Sequence, residues 1–224
     1  LAPHAIVLVA TIRALRHHGG AKKEEYNTPS MERLIKEFQN VEKHIENCKK
    51  FGITPVVAIN YFPTDSEEEI EFVQTHCKRL GVHAIVSYGF AKGGEGTTLL
   101  AQAVVDSIES GVNHFKPLYA WDLRVEDKIN RIATEIYGAD GVEYSSKART
   151  QLKMIYALGY DKLPICMAKT QKSLSDQENL VGRPKGFTIN VREFEFAAGA
   201  GFLIPILGEM MRMPGLPTVP ASEH

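Results

Sequence analysis

PVVAINYFPTDSEEEIEFVQTHCKRLGVHAIVSYGF (residues 55–90) carries a complete strand–helix–strand pattern. Residues 55–60 are almost wholly apolar, which is typical of a strand that is buried on both faces. The sequence T-D-S-E predicts a helix with Thr64 as N-cap and Glu67 closing a capping box. Residues 83–87 predict the next strand. Because a helical crossover joins parallel strands, this stretch predicts a βαβ unit.

The same alternation extends to both sides of this unit. Upstream, residues 4–11 predict a strand buried on both faces, a turn near residues 17–20, and then a helix with Thr28 as N-cap. Downstream, residues 93–96 form a Gly-rich turn before a helix over residues 99–110. Short apolar strands alternating with amphipathic helices predict an α/β fold with a parallel sheet and βαβ crossovers. Open α/β sheets bind ligands at the edge formed by the carboxyl ends of their strands.

The pattern of the chain changes after residue 113. We therefore predict an α/β region at residues 1–113 and a smaller α+β module at residues 114–224. The elements predicted in the module are two helices, capped by Asp122 and Ser145, and two strands at residues 163–168 and 187–197. The Pro-rich residues 213–220 predict neither regular helix nor central strand.

Composition and charge argue against several classes of protein. The 224 residues carry a net charge of −1, so no overall field attracts nucleic acid or an anionic membrane. No apolar run reaches the roughly 18 residues of a membrane span. The 3 cysteines include no C-x-x-C pair, which favours buried thiols in a reducing cytoplasm over zinc or disulfides. The chain enters a strand almost at once and without an initiator Met, so we expect further residues upstream.

Aromatic and polar side chains follow the second and third predicted strands. Asn60 ends one strand, and Phe62 follows it before a proline that stiffens the turn. The Asn60 amide presents a donor and an acceptor side by side, which suits the edge of a heterocycle or, equally, its own turn. Phe90 follows the third strand at the same predicted edge of the sheet.

A Gly-rich turn at this edge is a candidate for anion binding. The amide groups of Gly93, Gly94 and Gly96 precede a helix, and backbone N–H groups in such a turn converge on an anion. Lys92 adds a positive charge. The alternative is a turn that needs glycine only for a positive φ.

A basic cluster just past the first strand is the third candidate. Arg13 and Arg16 suit bidentate binding of phosphate or carboxylate, or else belong to a solvated basic turn. Metal binding by His17 and His18 is not predicted, because no third ligand has suitable spacing.

Several of these strings resemble the formate–tetrahydrofolate ligase family. VATIRALRHHGG (residues 9–20) is close to that family's signature VAT[IV]RALK-x-[HN]GG and differs by Arg16, where lysine is usual. INYFPTD (residues 59–65) and FAKGGEGT (residues 90–97) follow in the family's order. Further matching strings continue into the second half, so the resemblance covers essentially the whole chain.

The resemblance implies an α/β fold related to P-loop nucleotide-binding proteins and a cytoplasmic, ATP-dependent ligase. Such enzymes make 10-formyltetrahydrofolate from formate, ATP (with magnesium) and tetrahydrofolate, through formyl phosphate. Bacterial members are commonly tetramers activated by a monovalent cation, so a homo-oligomer is implied as well. The family's phosphate-binding loop lies upstream of the matched residues, which implies that this chain is inactive alone, and no catalytic residue is assigned.

The resemblance also implies a folate site. Family members hold the folate ring system between two aromatic side chains, which match Phe62 and Phe90, while Pro63 and Val86 match their neighbours in the slot. Tryptophan is frequent in the family where Phe90 stands. The candidates for phosphate or nucleotide binding are Asn60, Arg13, Lys92, Gly93, Gly94 and Gly96.

Two other hypotheses remain open. The same sheet edge suits a non-catalytic nucleotide-binding or assembly module, in which Asn60 contacts a base. Alternatively, the chain is a structural C-terminal piece whose sites need residues outside it. Binding of tetrahydrofolate, of nucleotide alone, or of neither ligand distinguishes the three hypotheses.

Overall fold

The computed structural model describes residues 2–18, 25, 27–170 and 172–208. It divides into two compact units. The first unit comprises Leu1–Leu118 with Val181–Arg183, and the second comprises Tyr119–Leu180 with Pro184–His224.

A parallel sheet organises the first unit. In the described residues its strands are β1 (Val7–Ala10), β2 (Val56–Asn60) and β3 (Ala84–Ser87), in that order across the sheet. β1 pairs with β2 and β2 with β3, both in parallel. The predicted α/β class with βαβ crossovers is therefore confirmed.

Five helices of the first unit connect or follow these strands in the described residues. They are α1 (Ile12–His18), α2 (Met31–Lys50), α3 (Glu67–Arg79), α4 (Gly89–Lys92) and α5 (Thr98–Glu109), with a 3₁₀ turn at Glu95–Thr97. Residues 17 and 18 of the turn predicted near residues 17–20 belong to α1, and residues 19 and 20 lie outside the described residues. α1 begins at Ile12 because the Thr11 hydroxyl accepts a hydrogen bond from the Ala14 N–H at 3.1 Å.

Both helix caps predicted in the first unit were wrong by two residues. The N-cap of α2 is Ser30 rather than Thr28, and that of α3 is Ser66 rather than Thr64. Ser66 forms a capping box with Glu69, whose side chain accepts from the Ser66 N–H at 3.3 Å. Three consecutive glutamates permit more than one register for such a box, and the partners of Glu69 decide between them.

The core of the first unit lies on one face of the sheet. Val57 and Ile59 of β2 are fully buried there against apolar side chains of α1, α2 and α3. The prediction that β1 is buried on both faces was wrong for the described residues, because Val9 on its other face is 63% exposed. β2 is the strand that has paired neighbours on both edges, so it matches the prediction of double burial.

The second unit combines helices with two small sheets. Its elements in the described residues are α6 (Val125–Arg131, continuing as a π-helical segment over Ile132–Tyr137), β4 (Gly141–Tyr144), α7 (Ser146–Ala157), β5 (Thr188–Val191), β6 (Glu193–Ala197) and β7 (Phe202–Ile206). β4 pairs with β5 in parallel, and β6 pairs with β7 in antiparallel orientation. Buried side chains of α6, α7, β5, β6 and β7 form its core, including Ile129, Ile155, Ile189, Phe194 and Leu203. The partly buried Val142 and Tyr144 of β4 pack against this core.

Three predictions for the second unit need correction, and one is confirmed. The strand predicted over residues 187–197 is two strands in different sheets, and residues 163–168 contribute only two isolated bridges, Ile165 to Leu203 and Ala168 to Ile206. Asp122 does not cap α6, which begins at Val125 after Arg124. Ser145 does cap α7, accepting from the Ala148 N–H at 3.0 Å.

Two further observations complete the fold. The Pro-rich residues 213–220 lie outside the described residues. Among the helices that the structure describes, none is long and apolar enough to cross a membrane.

A buried ion pair joins α1 to the N-termini of α2 and α3. Arg16 and Glu69 are both 0% exposed, with Arg16 Nε donating to Glu69 Oε1 at 2.9 Å and Nη2 donating to Oε2 at 2.5 Å. Oε1 also accepts from the N–H of Ser30, the cap of α2, at 3.0 Å. Oε2 accepts from the hydroxyl of Ser66, the cap of α3, at 2.8 Å. One carboxylate therefore ties three helices together at the carboxyl edge of the sheet.

The same contacts set the ionisation of Glu69. Burial acts to raise the pKa of this carboxyl, but the hydrogen bonds from Arg16, Ser30 and Ser66 together outweigh burial and hold its pKa below the ordinary range. The carboxylate is thus charged in the folded protein over a wider pH range than in the unfolded chain.

We expect Arg16→Ala to lower the free energy of unfolding by about 3–5 kcal/mol, because it leaves the Glu69 charge buried and unpaired. Arg16→Lys should fall between this variant and wild type, since an ammonium cannot reproduce the two-pronged contact. Urea unfolding followed by circular dichroism measures the loss. The matched control is Arg33→Ala in the same unit, whose partly exposed pair with Glu25 at 3.0 Å should contribute at most about 1 kcal/mol. Equal losses in the Arg16 and Arg33 variants would contradict the assigned role.

The stabilisation that depends on Glu69 should disappear in acid. Because folding lowers the pKa of Glu69, its contribution is present above the ordinary carboxyl pKa and is lost as the pH falls through the lower folded value. The difference in unfolding free energy between wild type and Glu69→Gln should therefore shrink between about pH 6 and about pH 3. A difference that stays constant with pH would show that the charge of Glu69 is not what matters.

Candidate functional site

The loops after β2 and β3 run side by side beyond the carboxyl edge of the sheet. The N–H of Tyr61 donates to the carbonyl of Ser87 at 3.1 Å, which extends the strand pairing by one residue. The rings that follow then meet in two pairs. Tyr61 and Tyr88 have ring centroids 4.9 Å apart, and Phe62 and Phe90 have centroids 5.5 Å apart. The topology thus places both predicted aromatic residues at the predicted ligand edge.

Phe62 and Phe90, here called the aromatic pair, touch each other directly. Their ring planes are inclined by 43°. A flat ligand between two parallel rings needs van der Waals spacing on each face, or roughly 7 Å between the rings. The observed pair is therefore closed. Phe90 is 73% exposed, so its side chain lies outside the buried core of the first unit.

Arg13 lies against the same ring. The central carbon of its guanidinium is 5.2 Å from the centroid of the Phe62 ring, within the range of a cation–π contact. Arg13 is half-buried at the start of α1, one helical turn before the buried Arg16. The two arginines of the predicted basic cluster thus have different surroundings, since Arg16 is held by Glu69 while Arg13 borders the aromatic pair.

The other predicted slot residues surround the pair unevenly. Pro63 is exposed in the turn after Phe62. Val86 is half-buried on β3, is in register with Ile59, and packs against the core cluster of the first unit. Asn60 is half-buried at the end of β2, and its side-chain amide makes no hydrogen bond within the described residues.

The Gly-rich turn uses two of its amide groups internally. The N–H of Gly93 donates to the carbonyl of Gly89 at 2.9 Å, and that of Gly96 donates to the carbonyl of Gly93 at 3.1 Å. An anion at these two amides would have to replace a hydrogen bond that already exists. The amide of Gly94 donates to no backbone carbonyl in the part of the chain that is described.

Local backbone geometry accounts for two of these glycines. Gly93 has a φ of +58°, which side-chain-bearing residues rarely adopt. A Cβ at Gly96 would lie 2.6 Å from the carbonyl oxygen of Tyr88, whose N–H donates to the Gly96 carbonyl at 3.0 Å. At Gly94 an added Cβ meets nothing within 4 Å. These observations favour the conformational explanation for Gly93 and Gly96 and leave Gly94 without a steric one.

Lys92 provides an exposed positive charge beside the turn. Its Nζ is 5.4 Å from the ring centroid of Tyr88. Arg13 and Lys92 therefore lie next to different aromatic rings, Phe62 and Tyr88 respectively. Within the described residues, no three or more His, Cys, Asp or Glu side chains are grouped to hold a metal ion.

Sequence reasoning missed Asp65, which lies beneath the aromatic pair's loop. Its Oδ2 accepts from the N–H of Phe62 at 2.8 Å, and its own N–H donates to the Phe62 carbonyl at 2.9 Å. Asp65 is 9% exposed, and burial raises its pKa, opposed by the Phe62 hydrogen bond and by the charge of Arg16. The signal was the spacing F-P-T-D, since aspartate side chains in turns commonly hydrogen-bond to nearby backbone groups.

The chain is similar over its whole length to a known protein family. The model of the family described as formate–tetrahydrofolate ligase matches residues 1–224. Two of the strings that carried the resemblance, INYFPTD and FAKGGEGT, lie at the carboxyl edge of the first unit's sheet and contain the aromatic pair.

Gly96→Ala should destabilise the protein by about 1–3 kcal/mol, because the added methyl group collides with the Tyr88 carbonyl and forces the turn apart. Gly94→Ala, two residues away, should change stability by no more than about 0.5 kcal/mol, because its methyl group enters open space. Thermal and urea unfolding of both variants make the comparison. Equal tolerance at the two positions would contradict the turn geometry.

Proposed function

Because the chain belongs to the formate–tetrahydrofolate ligase family, we propose that it supplies the folate slot of an enzyme that uses ATP to join formate to tetrahydrofolate. The product is 10-formyltetrahydrofolate, released with ADP and phosphate. The single observation that best supports this assignment is the aromatic pair at the carboxyl edge of the sheet, where α/β folds bind their ligands.

In this proposal Phe62 and Phe90 separate to admit the pterin ring and stack on its two faces. Each ring–ring contact adds about 0.5–1.5 kcal/mol beyond the burial of apolar area. Pro63 and Val86 line the slot. Exposed Phe90 moves while Phe62, fixed by Asp65, stays in place.

The chemistry that the slot serves is the transfer of an activated formyl group. ATP phosphorylates formate, and a nitrogen of the bound folate then attacks the carbonyl carbon of formyl phosphate, so that a C–N bond forms and phosphate leaves. Holding amine and acyl phosphate together is mainly catalysis by proximity, with charge stabilisation of the leaving phosphate. Arg13 and Lys92 are the positive side chains that we assign to the phosphate or to the anionic tail of folate.

Several finer points are part of the proposal and follow from family membership. ATP acts with magnesium, for which no cluster of ligands exists among the described residues, so we assign neither magnesium nor a monovalent cation to side chains of this chain. The working enzyme is a cytoplasmic homo-oligomer. The 224-residue sequence contains no G-x-x-x-x-G-K-[ST] loop, and we propose that the chain alone does not phosphorylate formate.

A non-catalytic nucleotide-binding module is the second candidate. The observation that favours it is the Asn60 amide at the end of β2, which makes no hydrogen bond within the described residues and so remains available to a base edge. In that case Gly94 and Lys92 rather than Phe90 face the ligand.

Calorimetric titration of the chain with tetrahydrofolate and, separately, with ATP tests the two candidates. We expect tetrahydrofolate to bind and Phe62→Ala to weaken it at least about tenfold through lost stacking and area. Phe90→Trp, which restores the family's frequent residue, should bind more tightly than wild type. The matched control is Phe51→Ala. The ring centroids of Phe51 and Phe115 are 6.3 Å apart, and neither residue is in the loops that follow β2 and β3, so this variant should leave affinity unchanged.

Two outcomes of this titration, and one of a separate activity assay, count against the proposal. Binding of ATP without tetrahydrofolate supports the nucleotide-binding module, and binding of neither ligand supports a purely structural piece. Turnover of ATP and formate by the isolated chain above background would contradict its proposed inactivity.

A further inference from the structure

Asp65 and Phe62 are joined by two reciprocal hydrogen bonds. The carboxylate accepts the Phe62 N–H at 2.8 Å, and the Asp65 N–H returns to the Phe62 carbonyl at 2.9 Å. Together these bonds close the turn between β2 and α3. The backbone of Phe62 is thereby fixed at the point where its ring leaves the strand end, so the direction of that ring depends on a side chain three residues away.

The rest of the Asp65 carboxylate is in an unusual position for a charged group. Asp65 is 9% exposed, and its Oδ1 is buried with no hydrogen-bond partner in the described residues. A buried acceptor without a donor costs free energy, most of all when it is charged. The cost is tolerated at the residue that anchors half of the aromatic pair.

Three other charged groups act on this carboxylate. Arg16 and Arg13 on α1 attract it, and Glu69 on α3 repels it. Arg16 is already engaged with Glu69 through two hydrogen bonds. Arg13 instead rests over the Phe62 ring at 5.2 Å, so the charge of Asp65 favours Arg13 staying near the ring that Asp65 itself positions.

We propose that Asp65 is the positioning residue of the aromatic pair: its charged carboxylate holds Phe62 and Arg13 for the ligand, and ligand affinity falls when that carboxylate is protonated. The proposal rests on the proposed folate function. An N–H bond to a carboxylate is roughly twice as strong as one to a neutral acceptor, so protonation loosens Phe62 without removing the residue.

The direction of the pH effect follows from the surroundings. Burial raises the pKa of Asp65, so the group takes up its proton at a higher pH than an ordinary aspartate. Affinity should therefore be full above this raised pKa and decline as the pH falls through it. Glu69 stays ionised in that range because its own pKa is lowered, so the step belongs to Asp65.

Asp65→Asn separates positioning by charge from a role in shape alone. Asparagine keeps the size of the side chain and an oxygen acceptor for the Phe62 N–H, but it does not titrate. At about pH 7 we expect the variant to bind tetrahydrofolate about 5-fold more weakly than wild type, since one charge-assisted bond becomes a neutral one. The ratio of the two dissociation constants should fall towards one as the pH is lowered to about 4. Titration of the ligand itself cancels in this ratio.

The matched control is Asp106→Asn on α5. Asp106 is an exposed aspartate of the same unit, and its Oδ1 accepts from Gln102 at 2.8 Å, away from the aromatic pair. This variant should follow the wild-type affinity at every pH. A second measurement does not depend on any variant, because the backbone amide resonance of Phe62 in the wild-type chain should titrate with the Asp65 carboxylate that it donates to.

The outcomes separate this inference from the proposed function. A pH-independent affinity ratio, or a Phe62 amide that does not titrate, overturns the positioning role while tetrahydrofolate binding by the wild-type chain preserves the function. Failure of the wild-type chain to bind tetrahydrofolate at any pH overturns both. The positioning role of Asp65 is supported if the ratio of the dissociation constants of Asp65→Asn and wild type decreases as the pH is lowered. The Phe62 amide should also titrate, and Asp106→Asn should keep the wild-type affinity.

Discussion

The ion pair between Arg16 and Glu69 is the contact on which the ligand edge of the first unit depends. Glu69 takes hydrogen bonds from Arg16 and from the caps of two helices, so it fixes the start of α2 and of α3 relative to α1. Arg16 also donates to the carbonyl of Thr64 at 3.2 Å, inside the loop that carries Phe62. Burying two charges is costly, and the cost is offset only because nearly every polar atom of the pair has a partner. The loop that carries Phe62 is therefore held through its buried contact with Arg16 and not through its exposed residues.

The sequence predicted the elements that follow from hydrophobic pattern. Uninterrupted apolar runs between amphipathic helices gave β2, β3 and the parallel sheet, because few other arrangements bury such runs. The caps were misplaced because several Ser, Thr and Glu residues are possible partners locally. Ser30 and Ser66 are the caps that donate to Glu69, and Glu69 is the glutamate that pairs with Arg16 from a distant part of the chain. Residues 187–197 alternate like one strand, yet partners far away in sequence divide them between two sheets.

The candidate site shows the same limit. Topology alone brings the ends of β2 and β3 together, so the meeting of Phe62 and Phe90 was predictable from the order of strands and helices. The spacing of the rings was not, because it depends on side-chain rotation at an exposed position. Asp65 was missed since the pattern gives no sign of burial in a polar loop. The sequence left open whether the glycines of this turn bind an anion or serve its conformation, and the hydrogen bonds that occupy the amides of Gly93 and Gly96 depend on a backbone path that the sequence does not specify.

The contact between the phenyl rings of Phe62 and Phe90 also adds a free-energy cost to the binding of any ligand between them. The two rings bury part of each other's surface, so a flat ligand must first break one favourable ring contact before it can form two new ones. The apparent affinity for the ligand equals the affinity of the open pair multiplied by the fraction of molecules in which the two rings are already separated. A larger outer ring gains contact area with the ligand, which it meets on a whole face, and less with the inner ring, which it meets at an angle of 43°. Ligand affinity at this edge therefore depends on the difference between the free energy of the two ring–ligand contacts and that of the ring–ring contact they replace.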